Sequence, residues 1–281
     1  MPISYTWISD DDQLKKLSRK LLDREDRLLA IDFEGEFNLH VYGERLCLIQ
    51  LFDGKDYYLI DPFPMDDAVL AEFLTLKNKI YMFYSADSDI SLIYKQYKVK
   101  MNGIYDLQHL VEVLDLPKKG LDAVLEAELG IRVEGKKRYQ MHNWMTRPIE
   151  EGAKQYALGD VAHLFALHET LLNKVKQSDK VEDLILKIAG NFKDFDKKSV
   201  PGIFKTTAYR KMSSKKKKLY ETIVAVRESC AEELDVPAHL VIPKQELVSL
   251  TEDTGRIRSL RFHQKVPRSM QERIIKEISR L

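Results

Sequence analysis

Residues 28–37, LLAIDFEGEF, limit the fold of this chain more than any other stretch. Leu28–Ile31 reads as a buried strand, and Asp32, Glu34 and Glu36 then alternate with Phe33, Gly35 and Phe37. Side chains two apart on a strand share a face, so three carboxylates crowd one side of a strand that starts in a core. Like charges at that spacing disfavour ionisation, and burying them without a partner is costly or shifts their pKa values. Such a strand calls for something positive between its acids.

The sequence around it gives the strand a context. DDDQLKKLSRKLL (10–22) places Leu14, Leu17 and Leu21 at helical spacing. Strands follow at Leu28–Glu34, Leu46–Phe52 and Tyr57–Ile60, with short polar joints, Asp53-Gly54 among them, that favour an antiparallel meander. A helix at 66–76, a strand at 80–85, a helix at 87–96 and a strand at 103–106 come next, then helices at 107–113, 120–129 and 149–176. Strands first and strand–helix alternation afterwards predict an α/β fold: a mixed five-stranded sheet flanked by helices on both faces. Beyond residue 178 the pattern is helical only. The 281 residues suit one sizeable domain and a smaller one, here 1–177, a partly helical basic connector 178–213, and a small all-α domain 214–281.

No apolar run approaches the roughly 18 residues of a membrane span, and MPISYTWISDDD lacks the basic-then-apolar pattern of a signal peptide. Cys47 and Cys230 lie in different expected domains, so there is no disulfide framework and no C-x-x-C motif. A reducing cytoplasm is the expected compartment. A formal net charge of +1 argues neither for nor against nucleic acid. The oligomeric state stays open, with a monomer as the default.

Further acids follow apolar strands or lie on an apolar helix face. In YSADSDISLI (84–93), Asp87 and Asp89 open a helix; in IYDL, Asp106 ends a strand; in QYALGDVAHLFAL (155–167), Tyr156 and Asp160 stand four apart on one helix face. Each has an ordinary explanation: an N-cap for Asp87 or Asp89, a Lys or Arg partner for Asp160, and for Asp106 either a turn residue or a support behind the metal-binding acids. The ordered combination is what points to chemistry. Carboxylates without a His or Cys cluster suit hard cations such as Mg²⁺ or Mn²⁺ rather than zinc.

These motifs resemble the DEDD superfamily of 3′–5′ exonucleases, with its ribonuclease H-like fold, and within it the ribonuclease D branch. Asp32 and Glu34 match the D-x-E of the first motif, Asp89 the acid of the second, and Tyr156 with Asp160 the Y-x-x-x-D of the third. WISDDDQLKKL (7–17), LCLIQL (46–51), YDLQ (105–108) and WMTRPIEEGAKQYALGDV (144–161) resemble flanking family segments, so the similarity covers roughly residues 5–175. LYETIVAVRESCAEELDVPAHLVIPKQELVSL (219–250) resembles a single helicase-and-RNase-D C-terminal (HRDC) domain.

The resemblance implies two-metal phosphoryl transfer. Asp32 would contact both ions, Glu34 and Asp160 would complete one site, Asp89 would serve the other, and Tyr156 would orient water. It implies removal of nucleoside monophosphates from RNA 3′ ends, transfer RNA or other structured precursors being the expected substrates. A single-stranded DNA exonuclease and a non-catalytic nucleic-acid-binding relative are the alternatives. Two positions depart from the family at places that contact nucleic acid: Phe33 stands where Thr is usual and Tyr84 where His is usual.

Lys136, Lys137 and Arg138, read as a basic loop, and Arg147 beyond it are candidate backbone contacts. KTTAYRKMSSKKKK (205–218) contains Lys211, Lys215 and Lys216 and is either a solvated linker or a guide for RNA. Glu36 reads as a rim acid or ion-pair partner, and His142, His163 and His168 as structural or exposed.

Overall fold

In a computed structural model, residues 2–132, 136–139, 141–190 and 200–281 are described, the side chains of Lys136 and Lys137 excepted. The chain divides into two compact units, one of Met1–Gly35 with Arg45–Phe195, the other of Glu36–Glu44 with Asp196–Leu281.

The first unit runs β1 (Tyr5–Ile8), α1 (Asp11–Leu22), β2 (Leu28–Phe37), β3 (Glu44–Phe52), β4 (Tyr57–Ile60), α2 (Asp67–Phe73), β5 (Ile80–Phe83), α3 (Asp87–Tyr97), β6 (Ile104–Asp106), α4 (Gln108–Val113), α5 (Leu121–Leu129), α6 (Lys136–Tyr139), α7 (Glu151–Ala162), α8 (Leu164–Gln177) and α9 (Val181–Gly190). The sheet order is β1-β4-β3-β2-β5-β6. β3 and β4 are antiparallel, whereas β1 runs parallel to β4, β2 to β5 and β5 to β6. The expected α/β class with a mixed sheet is the one found, but the strands number six rather than five. The additional strand is β1, whose Tyr5 to Ile8 pair with Tyr57 to Ile60. Four residues at a sheet edge are too few to carry a period-two signature.

β2 lies inside the sheet and feeds both layers. Leu29, Ile31 and Phe33 join one core with Leu14, Leu17 and Leu21 of α1, Leu70 and Phe73 of α2, and Ile90 and Ile93 of α3. Ala30, one step out of phase, joins the opposite core with Leu110 of α4, Leu125 of α5 and Leu167 of α8. α7 covers that second face further along, its Ala153, Ala157 and Leu158 packing on Leu48 and Leu59. Alternation thus carries Asp32 and Glu34 to the face that α7 covers.

The Asp53-Gly54 turn forms as expected. Asp53 Oδ1 accepts from the N–H groups of Lys55 and Asp56 at 2.9 and 2.8 Å, and Gly54 adopts φ +87°, a region glycine enters at no steric cost. The single helix expected over 149–176 is two, because His163 leaves helical geometry at φ −109°, ψ 0° between α7 and α8. No Pro or Gly marks that break. α9, inside the stretch expected as connector, belongs to this unit: Lys180 Nζ donates to Val113 O at 2.9 Å and Lys187 pairs with Glu112 at 2.8 Å.

In the second unit α10 (Thr207–Lys211), α11 (Ser214–Glu233), α12 (Ala238–Val241), α13 (Glu246–Glu252) and α14 (Arg268–Ile278) form an all-helical region. α11 is its spine, burying Tyr220, Ile223, Cys230 and Ala231 against Leu247, Leu250, Ile274 and Ile278. The later part of the expected connector packs here too, with Phe204 and Tyr209 rings 5.3 Å apart and Tyr209 5.3 Å from Tyr220. Among the described residues no helix is long and apolar enough to cross a membrane.

Candidate active site

β2 aims its two acids by alternation. Ligand oxygens of Asp32, Glu34 and Asp160 all lie within 4.8 Å of one another, the only such set of three among the described residues. Asp160 reaches them from α7, with Tyr156 one turn earlier on the same helix. Asp89, 8 % exposed, comes from the first turn of α3. It falls outside the tight set of three, yet of all charges it acts most strongly on Asp32. Chain segments over a hundred residues apart therefore deliver four carboxylates to one place.

Electrostatics follow from that convergence. Burial first, then the charges of Asp89, Asp160 and Glu34, hold the Asp32 carboxyl well above the usual carboxylate range, while a backbone hydrogen bond from Phe33 opposes the rise. The charges acting most strongly on Asp32 are all negative. Tyr156 is raised by burial and then by Asp160, Glu34 and Asp32, so its phenol stays protonated at neutral pH. Its ring is fixed by Tyr139 and Trp144, at centroid distances of 5.6 and 6.4 Å. Oxygen donors alone, close together and mutually repelling, fit Mg²⁺ or Mn²⁺; the residues present suit the cations that the motif pattern implies.

Sequence reasoning missed part of this surround. Asp122, in the first turn of α5, adds to the field that raises Tyr156. An acid in a helix's first turn is too common to stand out. Asp106 is a turn anchor, its carboxylate accepting from the N–H groups of Ser85, Ala86 and Gln108 at 2.8, 2.9 and 2.9 Å. Glu36 is 2 % exposed and turned to its own loop, accepting from the N–H of Leu39 and of His40 and pairing with the His40 ring at 3.0 Å. His163 and His168 are both lowered by burial, which favours the neutral ring. His142 packs edge-on against Trp144 at 4.8 Å.

Two expected nucleic-acid contacts are corrected. The Phe33 ring points away from the acids into the core, edge-on to Phe83 at 5.5 Å; the alternation that exposes Asp32 and Glu34 buries it. Arg147 uses all five of its N–H groups within the protein. Nε and Nη2 grip Asp61 at 2.7 and 2.9 Å, Nη1 reaches the carbonyls of Trp144 and Thr146, and Nη2 also reaches that of Cys47. With the guanidinium 4.4 Å from the Phe63 ring centroid, no donor remains for a phosphate.

Of the others, Tyr84 donates its hydroxyl to Lys119 O at 2.5 Å and is pushed up to about 12 by burial and by Asp106. The stretch read as a basic loop contains α6. Arg138 is exposed there, beside Glu150 at 3.5 Å and 5.2 Å from the Tyr139 ring; the Lys137 side chain lies outside the described residues. Lys211 and Lys215 are exposed, and Lys216 pairs with Glu252.

Comparison with known proteins adds an independent line. The family model described as 3′–5′ exonuclease matches residues 5–176. The human protein called exosome complex component 10 is 26% identical over 270 residues, covering 90% of this chain but 30% of the relative; this chain thus spans about a third of the length of such curated relatives. The crystal structure of Escherichia coli RNase D, described as an exoribonuclease involved in structured RNA processing, superposes with a TM-score of 0.71 at 20% identity, covering 99% of this chain and 75% of that one. The catalytic core of RRP6 from Trypanosoma brucei gives a TM-score of 0.76 at 18% identity, covering 99% and 79%. Both structural matches extend through the C-terminal helices.

Proposed function

The chain belongs to the 3′–5′ exonuclease family, and from that premise we propose that it is a ribonuclease D- and RRP6-like two-metal exoribonuclease releasing nucleoside monophosphates from RNA 3′ ends. The observation that carries this reading is the set of Asp32, Glu34 and Asp160 oxygens within 4.8 Å, with Asp89 pressing on Asp32 and Tyr156 one turn from Asp160.

In this reading Asp32 would serve both cations, Glu34 and Asp160 would complete one site, and Asp89 would serve the other. Bound there, two Mg²⁺ or Mn²⁺ ions supply a water nucleophile at neutral pH and Lewis-acid stabilisation of the leaving oxygen. The protein's part is position. Tyr156 stays a neutral phenol and so hydrogen-bonds the attacking water without acting as its base. Ring contacts with Tyr139 and Trp144 hold the phenol in place. Partial burial of the carboxylates strengthens each interaction they make.

RNA as the substrate, and transfer RNA or other structured precursors within it, is supported by what the Escherichia coli relative is described as processing. Lys137, Arg138, Lys211, Lys215 and Lys216 are the backbone contacts in this reading, and Tyr84 lines the approach to the acids. The C-terminal helices act as an HRDC-like RNA-binding domain. The enzyme is cytoplasmic and monomeric, the compartment resting on its two distant cysteines.

The test uses 3′- and 5′-labelled RNA and DNA oligomers with Mg²⁺, Mn²⁺ or EDTA, and Asp32→Ala as the control. Stepwise shortening of RNA from the 3′ end, lost with EDTA and in the variant, is expected. Binding without cleavage under every metal would overturn catalysis, and equal cleavage of DNA would overturn the RNA preference.

A further inference from the structure

The second metal acid, Asp89, stands on a helix whose start has no side-chain cap. Ala86 occupies the N-cap position of α3 and offers no oxygen. The residue before it, Ser85, adopts φ +66°, a left-handed conformation that non-glycine residues rarely enter. Something outside the helix must hold this turn, and Asp106 does so.

Its position is fixed from both sides. Asp106 ends β6 opposite Phe83 of β5 in the parallel register, and the N–H of the following Leu107 donates to Phe83 O at 2.9 Å. From that site, 8 % exposed, Asp106 Oδ1 accepts from Ser85 N at 2.8 Å and Gln108 N at 2.9 Å, while Oδ2 accepts from Ala86 N at 2.9 Å. One carboxylate thus ties the end of β6 to the two residues that launch α3. Asp89 follows Ala86 by three residues, roughly 4.5 Å of helix rise, and a helix transmits movement of its first residue to its first turn as a rigid body.

We propose that Asp106 is a positioning residue that sets Asp89, and through Asp89 one of the two cation sites. This rests on the exonuclease reading above, in which Asp89 holds a cation. Asp106 touches neither cation nor RNA in this account; it acts through the Ser85–Ala86 turn. Such outer partners of metal ligands change metal affinity by about 10- to 100-fold when lost.

The test is a Mn²⁺ titration of the full chain, following free Mn²⁺ by electron paramagnetic resonance, for the wild type, Asp106→Asn and Asp89→Ala. Asn keeps the shape but turns one acceptor into a donor facing a backbone N–H. Two ions per wild-type chain are expected. In Asp106→Asn one ion should weaken by about 10-fold or more while the other holds its affinity, and kcat should fall with KM for RNA unchanged and recover in part at high Mn²⁺. If the Asn variant does not fold, Asp106→Glu, which keeps both acceptors on a longer arm, is read in the same titration with the same direction expected. Wild-type Mn²⁺ binding in the substituted protein, even with a lowered Tm, would show a merely structural carboxylate and overturn the proposal. Retention of both ions by Asp89→Ala would instead overturn the assignment of Asp89, and the proposal with it.

Discussion

In the absence of divalent cations, the substitution Asp32→Asn should make the first unit more stable at neutral pH. Oxygens of Asp32, Glu34 and Asp160 lie within 4.8 Å, where each ionised pair repels by about 3.5 kcal/mol at an effective dielectric of about 20. Two such pairs involve Asp32, so full ionisation is more costly than taking up a proton. Proton uptake at pH 7 by a carboxyl of ordinary pKa near 3.9 costs about 4 kcal/mol, which is the ceiling on the gain from removing the charge. Water reaching the half-exposed Glu34 and Asp160 screens part of the repulsion, so a gain between about 1 and 4 kcal/mol is expected. For a unit of this size that is a rise in Tm of at least about 2 °C.

The direction with pH follows from the raised carboxyl of Asp32. The folded state holds a proton that the unfolded chain releases near pH 4. Metal-free stability therefore declines as pH climbs from there toward the raised folded value, and levels off above it. The Asn variant should lose that slope. Both tryptophans, Trp7 and Trp144, lie in the first unit, so urea unfolding in EDTA followed by tryptophan fluorescence at pH 5 and pH 7.5 reads this unit. Mg²⁺ should then stabilise the wild type more than the variant. A variant no more stable than wild type at pH 7.5, or one with an unchanged pH slope, would refute the reasoning.

Other expected outcomes are more direct. Tyr156→Phe should lower kcat by about 10- to 1000-fold, and because Tyr156 is raised above its ordinary value, the wild-type pH–rate profile should show no fall below about pH 10; mononucleotide release across pH 6–10 checks both. Arg147→Met breaks a largely buried pair with Asp61 and should cost about 3–5 kcal/mol in urea unfolding, with the salt dependence of RNA binding unchanged. Replacing Lys211, Lys215 and Lys216 together by Ala should weaken RNA binding and reduce the slope of log affinity against log salt by up to about 2, at about 0.7 per phosphate contact. Fluorescence anisotropy over a salt series measures that slope.

What the sequence made legible, and what it did not, divides along physical lines. Asp32, Glu34 and Asp160 were visible because a period-two run of acids on a buried strand and a Tyr–Asp pair on an apolar helix face are costly patterns that few folds tolerate. The sheet class was visible for the same reason: buried strands such as LCLIQL carry long apolar runs. β1 was signalled only by its resemblance to a family segment and not by residue pattern, because its edge position leaves only Ile8 fully inside. Phe33 and Arg147 were misassigned because residue type and motif position do not say where a side chain's partners are. Arg147 is committed to Asp61, 86 residues away in sequence, and nothing local announces it. Asp106 reads from sequence as a turn residue or a support behind the metal-binding acids, and its three backbone N–H donors, two of them from a segment about twenty residues earlier, are not legible there.

The most direct measurement is anomalous diffraction from a crystal of this protein soaked in Mn²⁺. Two manganese peaks roughly 3.5–4 Å apart are expected, both against Asp32, one shared with Glu34 and Asp160 and one with Asp89. Peaks elsewhere, or none between these four carboxylates at a Mn²⁺ concentration that supports cleavage, would contradict the assignment of the acids as the catalytic metal centre.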